Sequence, residues 1–188
     1  WIIVSNEDNL DPVFKTMVPY DRWFPITQIL VFYDDGSGDT IEKLNLSRTV
    51  MDELFIGAWD FRAWDSEKKE SQWDCLARIV KERDPQRIGI NESESSWAAD
   101  GLSATLKGQL SATLGEPYAS RLSSAEKMSI RWLDTLLDEE LELYHQAHAI
   151  SHALIQETFS SAVITPGVTT LEDLSYHYWQ RAADLGLR

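Results

Sequence analysis

The sequence predicts an α/β domain followed by an all-helical segment. Three observations carry this. Over the first two thirds, short β-branched or aromatic runs alternate with amphipathic stretches of helical period. From Ser123 to Arg188 almost everything reads as helix. The hydrophobic fraction of 43% over 188 residues is enough for a core, which separates the chain from disordered sequences.

Trp1-Ile2-Ile3-Val4 is a short apolar strand. Asn6, Asp8, Asn9 and Asp11 mark a polar turn, and Pro12 at a first helical turn with Asp11 as cap starts a helix. Residues 27–34 are β-branched and aromatic, a strand. Asp35-Gly36-Ser37-Gly38-Asp39 reverses the chain, because glycine reaches positive φ at little cost. Residues 40–46 return, so a hairpin is expected across 27–46. Residues 55–61 are a further strand candidate. Over Ser71–Arg83, Trp73, Leu76, Ala77 and Val80 recur at helical spacing, and Asp84-Pro85 stops that helix. Arg87–Asn91 is a short strand, and residues 97–114 are predicted as one amphipathic helix ended by Gly115. The composition changes near residues 115–123. Ser123-Ser124-Ala125-Glu126 reads as a capping box opening a helix to about Leu137. A long helix is expected over 138–162, then a tight connection at 164–168. Thr169-Thr170-Leu171-Glu172 reads as a second capping box, opening a helix to about Asp184.

Lys and Arg total 17 against 31 Asp and Glu, a net charge of −14. That argues against nucleic acid, whose phosphates need a basic patch, and against an anionic membrane surface. No apolar run approaches the ~18–20 residues that span a bilayer. The one cysteine, Cys75, excludes an intramolecular disulfide framework and a Cys-rich zinc site. A single free thiol is compatible with the cytoplasm; a periplasmic or secreted location stays open. The abrupt start at Trp1 and end at Arg188 suggest a piece of a longer protein.

His145, His148 and His152 lie three and then four residues apart and fall near one helix face, a conceivable metal clamp. The zincin spacing needs a Glu directly after the first His, and Ala149 stands there. Packing or hydrogen bonding between domains is the simpler role for His148 and His152. Asp34-Asp35-Gly36-Ser37-Gly38-Asp39 fails the EF-hand spacing and reads as an exposed turn. Its glycines match neither a dinucleotide fingerprint nor a phosphate-binding loop. There is no Gly-x-Ser-x-Gly elbow, and Cys75 reads as a small packing residue. Eight tryptophans (1, 23, 59, 64, 73, 97, 132, 179) suit core and subunit contacts better than a carbohydrate platform. Glu67, Glu70, Glu82, Asp138, Glu139, Glu140 and Glu142 read as solvated helix faces.

Three segments then follow in order: Arg121-Leu122-Ser123-Ser124-Ala125-Glu126-Lys127; after a long helix, Ile164-Thr165-Pro166-Gly167-Val168-Thr169-Thr170-Leu171-Glu172-Asp173-Leu174; and Ala183-Asp184-Leu185-Gly186-Leu187. This resembles the opening of the "pita-bread" domain of the creatinase, prolidase and aminopeptidase P family, where a helix runs into a Pro-Gly-x-Thr turn and a second helix. The upstream part looks like that family's N-terminal domain, a mixed sheet with flanking helices, ribonuclease-H-like in topology. The resemblance divides the chain into residues 1–121, the N-terminal domain, and residues 122–188, the first helices of a truncated catalytic domain.

The resemblance implies a parent that cleaves next to proline, a Xaa-Pro aminopeptidase or dipeptidase. Two divalent ions (Mn, Co or Zn) would there activate a bridging water and polarise the carbonyl. The ligand set of two Asp, one His and two Glu lies downstream of the matched segment in that family. No catalytic, cofactor or metal residue is therefore placed on this chain, and His145, His148, His152 and His177 fall in the opening helices. The expected roles are subunit contacts in a homo-oligomer and one wall of a channel for peptide substrate. A non-catalytic protein-binding scaffold and a creatinase-type amidinohydrolase are the rival readings.

Overall fold

The structure, a computed structural model, describes residues 1–6, 11–17, 27–38, 40–46, 61–62 and 69–187. In chain order its strands are β1 (Ile2–Ser5), β2 (Gln28–Asp34), β3 (Ile41–Asn45), β4 (Phe61–Arg62), β5 (Ile88–Ile90) and β6 (Leu122–Ser124). Its helices are α1 (Pro12–Met17), α2 (Gln72–Arg83), α3 (Ala104–Leu114), α4 (Glu126–Asp134), α5 (Asp138–Thr158) and α6 (Leu171–Asp184). The chain packs as two units, Trp1–Thr135 and Leu136–Arg188.

In the first unit the sheet order is β4-β3-β2-β1-β5-β6. Strands β1, β2 and β3 form an antiparallel meander, with Ile2 opposite Val31 and Val31 opposite Leu44. Strand β5 runs parallel to β1, and β6 parallel to β5. The sheet is mixed, as a domain alternating hairpin and crossover helix requires. All four residues of β1 are buried, and this covering of both faces explains the apolar run Ile2-Ile3-Val4 that precedes the buried Ser5. Ile2, Val4, Ile29 and Val31 face a core built with Leu76, Ile79 and Val80 of α2 and Leu106 and Leu110 of α3. Ile3 and Leu30, one residue out of phase, meet Val13 and Phe14 of α1 on the opposite face.

The local signals hold where they are short-range. The Asp11 carboxylate accepts from the Phe14 amide (3.1 Å), capping α1 as expected. The 27–46 hairpin forms, and Gly36 and Gly38 carry its turn at φ +81° and +80°. Ser71 caps α2, and Asp84 leaves it in the left-handed region at φ +40° before Pro85. The strand candidate at 55–61 lies outside the described residues except at Phe61, whose backbone pairs with Leu44.

Three expectations are corrected. The helix predicted over 97–114 is broken: Trp97–Ala99 form one 3₁₀ turn, and α3 starts only at Ala104 with Ser103 as cap. The reason lies between them. Gly101 crosses so close to Asp11 that no side chain fits, and Leu102 N–H donates to the Asn91 carbonyl (3.0 Å), so the chain is held to the sheet instead of coiling. The capping box at Ser123–Glu126 does not form. Ser123 and Ser124 are in β6, which extends the sheet, and Ala125 precedes α4 without a side-chain cap. The Glu126 carboxylate turns to the Ser93 hydroxyl and the Ser95 amide. The second box forms one residue later than expected. Thr169 Oγ1 already accepts from the Thr165 amide (2.8 Å), so Thr170 caps α6 and exchanges hydrogen bonds with Asp173 (2.9 and 3.2 Å).

The second unit is the helical hairpin α5–α6. Leu154 and Thr158 are buried in it, whereas Leu171, Tyr176 and Trp179 each expose 72% of their surface.

Candidate functional site

A cleft of about 510 Å³ opens in the first unit where β2 ends, β3 begins, α2 ends and β5 begins. Its apolar walls include Ile2, Val31 and Ile88, which strand alternation directs to the α2 face, and Ile79 of α2 itself. At its mouth the Arg83 guanidinium forks onto the Glu42 carboxylate through Nε and Nη2, both at 2.5 Å. It also lies 5.8 Å from the centre of the Tyr33 ring, while the Tyr33 hydroxyl donates to the Arg83 carbonyl (3.4 Å). The bidentate carboxylate raises the Arg83 pKa further above its ordinary range.

Asp84 lines the same cleft and is held by Arg121 (2.6 Å), which also donates to the Pro85 carbonyl (2.9 Å) and lies over Tyr118. The Arg121 guanidinium keeps the Asp84 carboxyl below the usual carboxylate range. Arg83 and Asp84 are thus each paired, while the carboxylates of Asp34 and Asp35 and the Arg87 side chain also line the cleft beside its apolar floor. That suits an apolar side chain better than an anion.

The residues singled out in the sequence are placed as follows. The Cys75 thiol is buried and pushed up to about 11, chiefly by desolvation, so it is protonated near neutral pH. It is a packing residue, as its mid-helix position suggested. Asp34 and Asp35 accept from the amides of Gly36 and Ser37, both at 2.8 Å, and their carboxylates build the hairpin turn. Hydrogen bonds from Ser37 lower the Asp35 pKa. Glu70 and Glu82 both pair with Arg78. His145, His148 and His152 are exposed on α5, and the rings of His148 and His152 touch, with centroids 4.3 Å apart. Among the described residues no three His, Cys, Asp or Glu side chains are grouped to hold a metal ion. Among them, too, no helix is long and apolar enough to cross a membrane. Trp23, Trp59 and Trp64 lie outside the described residues.

No family model, curated protein or solved structure matches the chain.

Two polar constellations were not anticipated. Asn91 is fully buried beyond the end of β5; its amide donates to Asp11 (2.6 Å) and to the Val4 carbonyl (3.3 Å) and accepts from the Val4 amide (3.3 Å). It thereby continues the β1–β5 ladder with a side chain and holds Asp11, itself 2% exposed. The partners are 80 positions apart, so nothing local announces them. In the second unit, Glu157 of α5 accepts from Arg181 of α6 (2.8 Å), with His177 Nε2 at 3.5 Å. His177 and Arg181 are one helical turn apart, and that i, i+4 spacing is the signal that was open to notice.

Proposed function

We propose that this chain is the N-terminal part of a Xaa-Pro aminopeptidase- or dipeptidase-like metallohydrolase of the creatinase, prolidase and aminopeptidase P type. The observation that carries the reading is the order of its parts. An antiparallel meander of β3, β2 and β1 is continued by the parallel strands β5 and β6. That arrangement agrees with a ribonuclease-H-like N-terminal domain. A helical hairpin follows, turning at Pro166-Gly167 and capped by Thr170, in keeping with the opening of a pita-bread domain.

In this reading the first unit contributes subunit contacts and one wall of the substrate channel, which limits peptide length. The exposed apolar positions of α6 are faces that a catalytic sheet of the parent would cover. The residues described here do not fit the two-metal centre of that family, since no ligand group converges among them. No catalytic step is therefore assigned to this chain, and peptide-bond cleavage belongs to the parent.

The test uses two samples on the same substrates, a Xaa-Pro dipeptide and a Xaa-Pro-Yaa peptide, with manganese, cobalt or zinc. This chain alone is expected to be inactive, and the parent polypeptide to cleave with metal. Metal-dependent cleavage by the chain alone would overturn the reading. So would an inactive, metal-loaded parent, an outcome that favours the scaffold role.

A further inference from the structure

The His148–His152 pair on α5 has no part in the reading above. Residues four apart on a helix sit about 40° apart around the axis and about 6 Å along it. Here the consequence is direct contact: the imidazole centroids are 4.3 Å apart with the ring planes tilted by 51°. Both side chains are exposed, so neither ring is committed to a core. His145, three residues earlier, makes no corresponding ring contact with His148 among the described residues, and no third ligand joins the pair.

We infer that His148 and His152 form a two-imidazole chelate for one divalent transition-metal ion of the zinc, nickel or copper class. The chemistry of the donors selects the class. Neutral imidazole is a borderline nitrogen ligand that suits zinc, nickel and copper, whereas calcium and magnesium demand oxygen. Ala149, Ile150 and Ser151 intervene and supply no carboxylate, so the ion is held by nitrogen alone and its other coordination positions are open to water. Bridging one turn of α5, the ion would also pin that turn in helical conformation. Binding therefore adds to the stability of α5, because the unfolded segment does not hold the two rings in register.

Isothermal titration of the intact chain with NiCl₂ and with ZnCl₂ tests this. One ion per chain is expected. His148→Ala and His152→Ala should each weaken binding by about tenfold or more, since even loss of a partner outside the ligand set costs about 10–100-fold. His145→Ala should leave the affinity unchanged. All three positions are exposed and alanine favours helix, so circular dichroism should show the variants folded. As a second readout, zinc should shift the ring-proton resonances of His148 and His152 together and slow hydrogen exchange around residues 148–152. Absence of binding overturns the inference. So does binding that survives both substitutions, or that His145→Ala weakens as much as the other two.

Discussion

At Gly101 an added Cβ would stand 1.7 Å from Asp11 Oδ2 and 2.2 Å from its Cγ. Asp11 cannot retreat, because the Phe14 amide and the Asn91 side chain hold its two oxygens. Gly101→Ala is expected to destabilise the first unit by about 1–3 kcal/mol, the usual cost of overpacking. Gly108 is the counterpart: it is exposed within α3 and nothing lies within 4 Å of its added Cβ. Gly108→Ala should stabilise by about 0.5–1 kcal/mol through helix propensity. Urea titration of the two variants should move the midpoint in opposite directions; movement in the same direction removes the steric argument. Asp11 supports a second expectation. Burial raises its pKa, against the lowering effect of its hydrogen bonds from Phe14 and Asn91. The folded state then holds a proton that the unfolded chain has released, so this group's contribution to stability falls as pH rises from the ordinary carboxylate pKa through the raised one. Asp11→Asn should flatten that part of the stability–pH curve, measured by urea midpoints from acid to neutral pH. An unchanged slope would show that Asp11 does not titrate in that window.

Among the elements, α6 depends most visibly on one cap. Thr170 and Asp173 exchange hydrogen bonds at its first turn, and its apolar positions are exposed, so little packing supports it. Hydrogen bonds from Thr170 hold the Asp173 carboxyl below its ordinary range. Thr170→Ala should cost about 1 kcal/mol of local helix stability. The loss should appear as faster amide exchange in residues 171–176, while α2, capped separately by Ser71, keeps its protection. Equal acceleration in both helices would mean that the cap acts on the whole molecule. α3 makes the opposite point: its periodicity continues upstream to Trp97, yet Trp97 is 83% exposed, because contacts at Gly101 and Leu102 decide where that helix begins.

For the whole molecule, the uneven distribution of burial has physical consequences. All of β1 and the first four residues of β2 are buried, whereas the second unit leaves Leu137, Leu143, Phe159, Leu171, Tyr176 and Trp179 more than half exposed. Covering a few hundred Å² of such surface gains several kcal/mol at ~25 cal/mol per Å². That gain has to exceed the entropy cost of association and the repulsion of a net charge of −14, which salt screens. We expect the chain to self-associate, more strongly at high protein concentration and at high salt. Light scattering across both variables is the check, and a strictly monomeric mass throughout would reject it. Amides of residues 138–184 should also exchange faster than those of β1 and β2.

The short-range parts of the fold were legible in the sequence. The 27–46 hairpin, the Asp84-Pro85 stop of α2, the Asp11 start of α1 and the end of α6 each rest on residues within one turn or one hairpin. Their geometry follows from backbone preference and local hydrogen bonding. Strand β6 was not legible, because Leu122-Ser123-Ser124 is a strand only through Ile88–Ile90 beside it. The break before α3 and the use made of Glu126 were hidden for the same reason: Asp11 and Ser93 are distant in sequence. The candidate site divides in the same way. Four-residue spacing announced that His148 and His152 share a face, but only side-chain packing brought their rings to 4.3 Å. Arg83 and Glu42 lie 41 positions apart, and nothing in either local pattern pairs them. The sequence alone determined the alternation of apolar faces, the caps and the net charge, since these are properties of neighbouring residues. Tertiary structure decided which polar groups meet, because such pairs form only after the sheet has set the distance between segments that the chain keeps far apart.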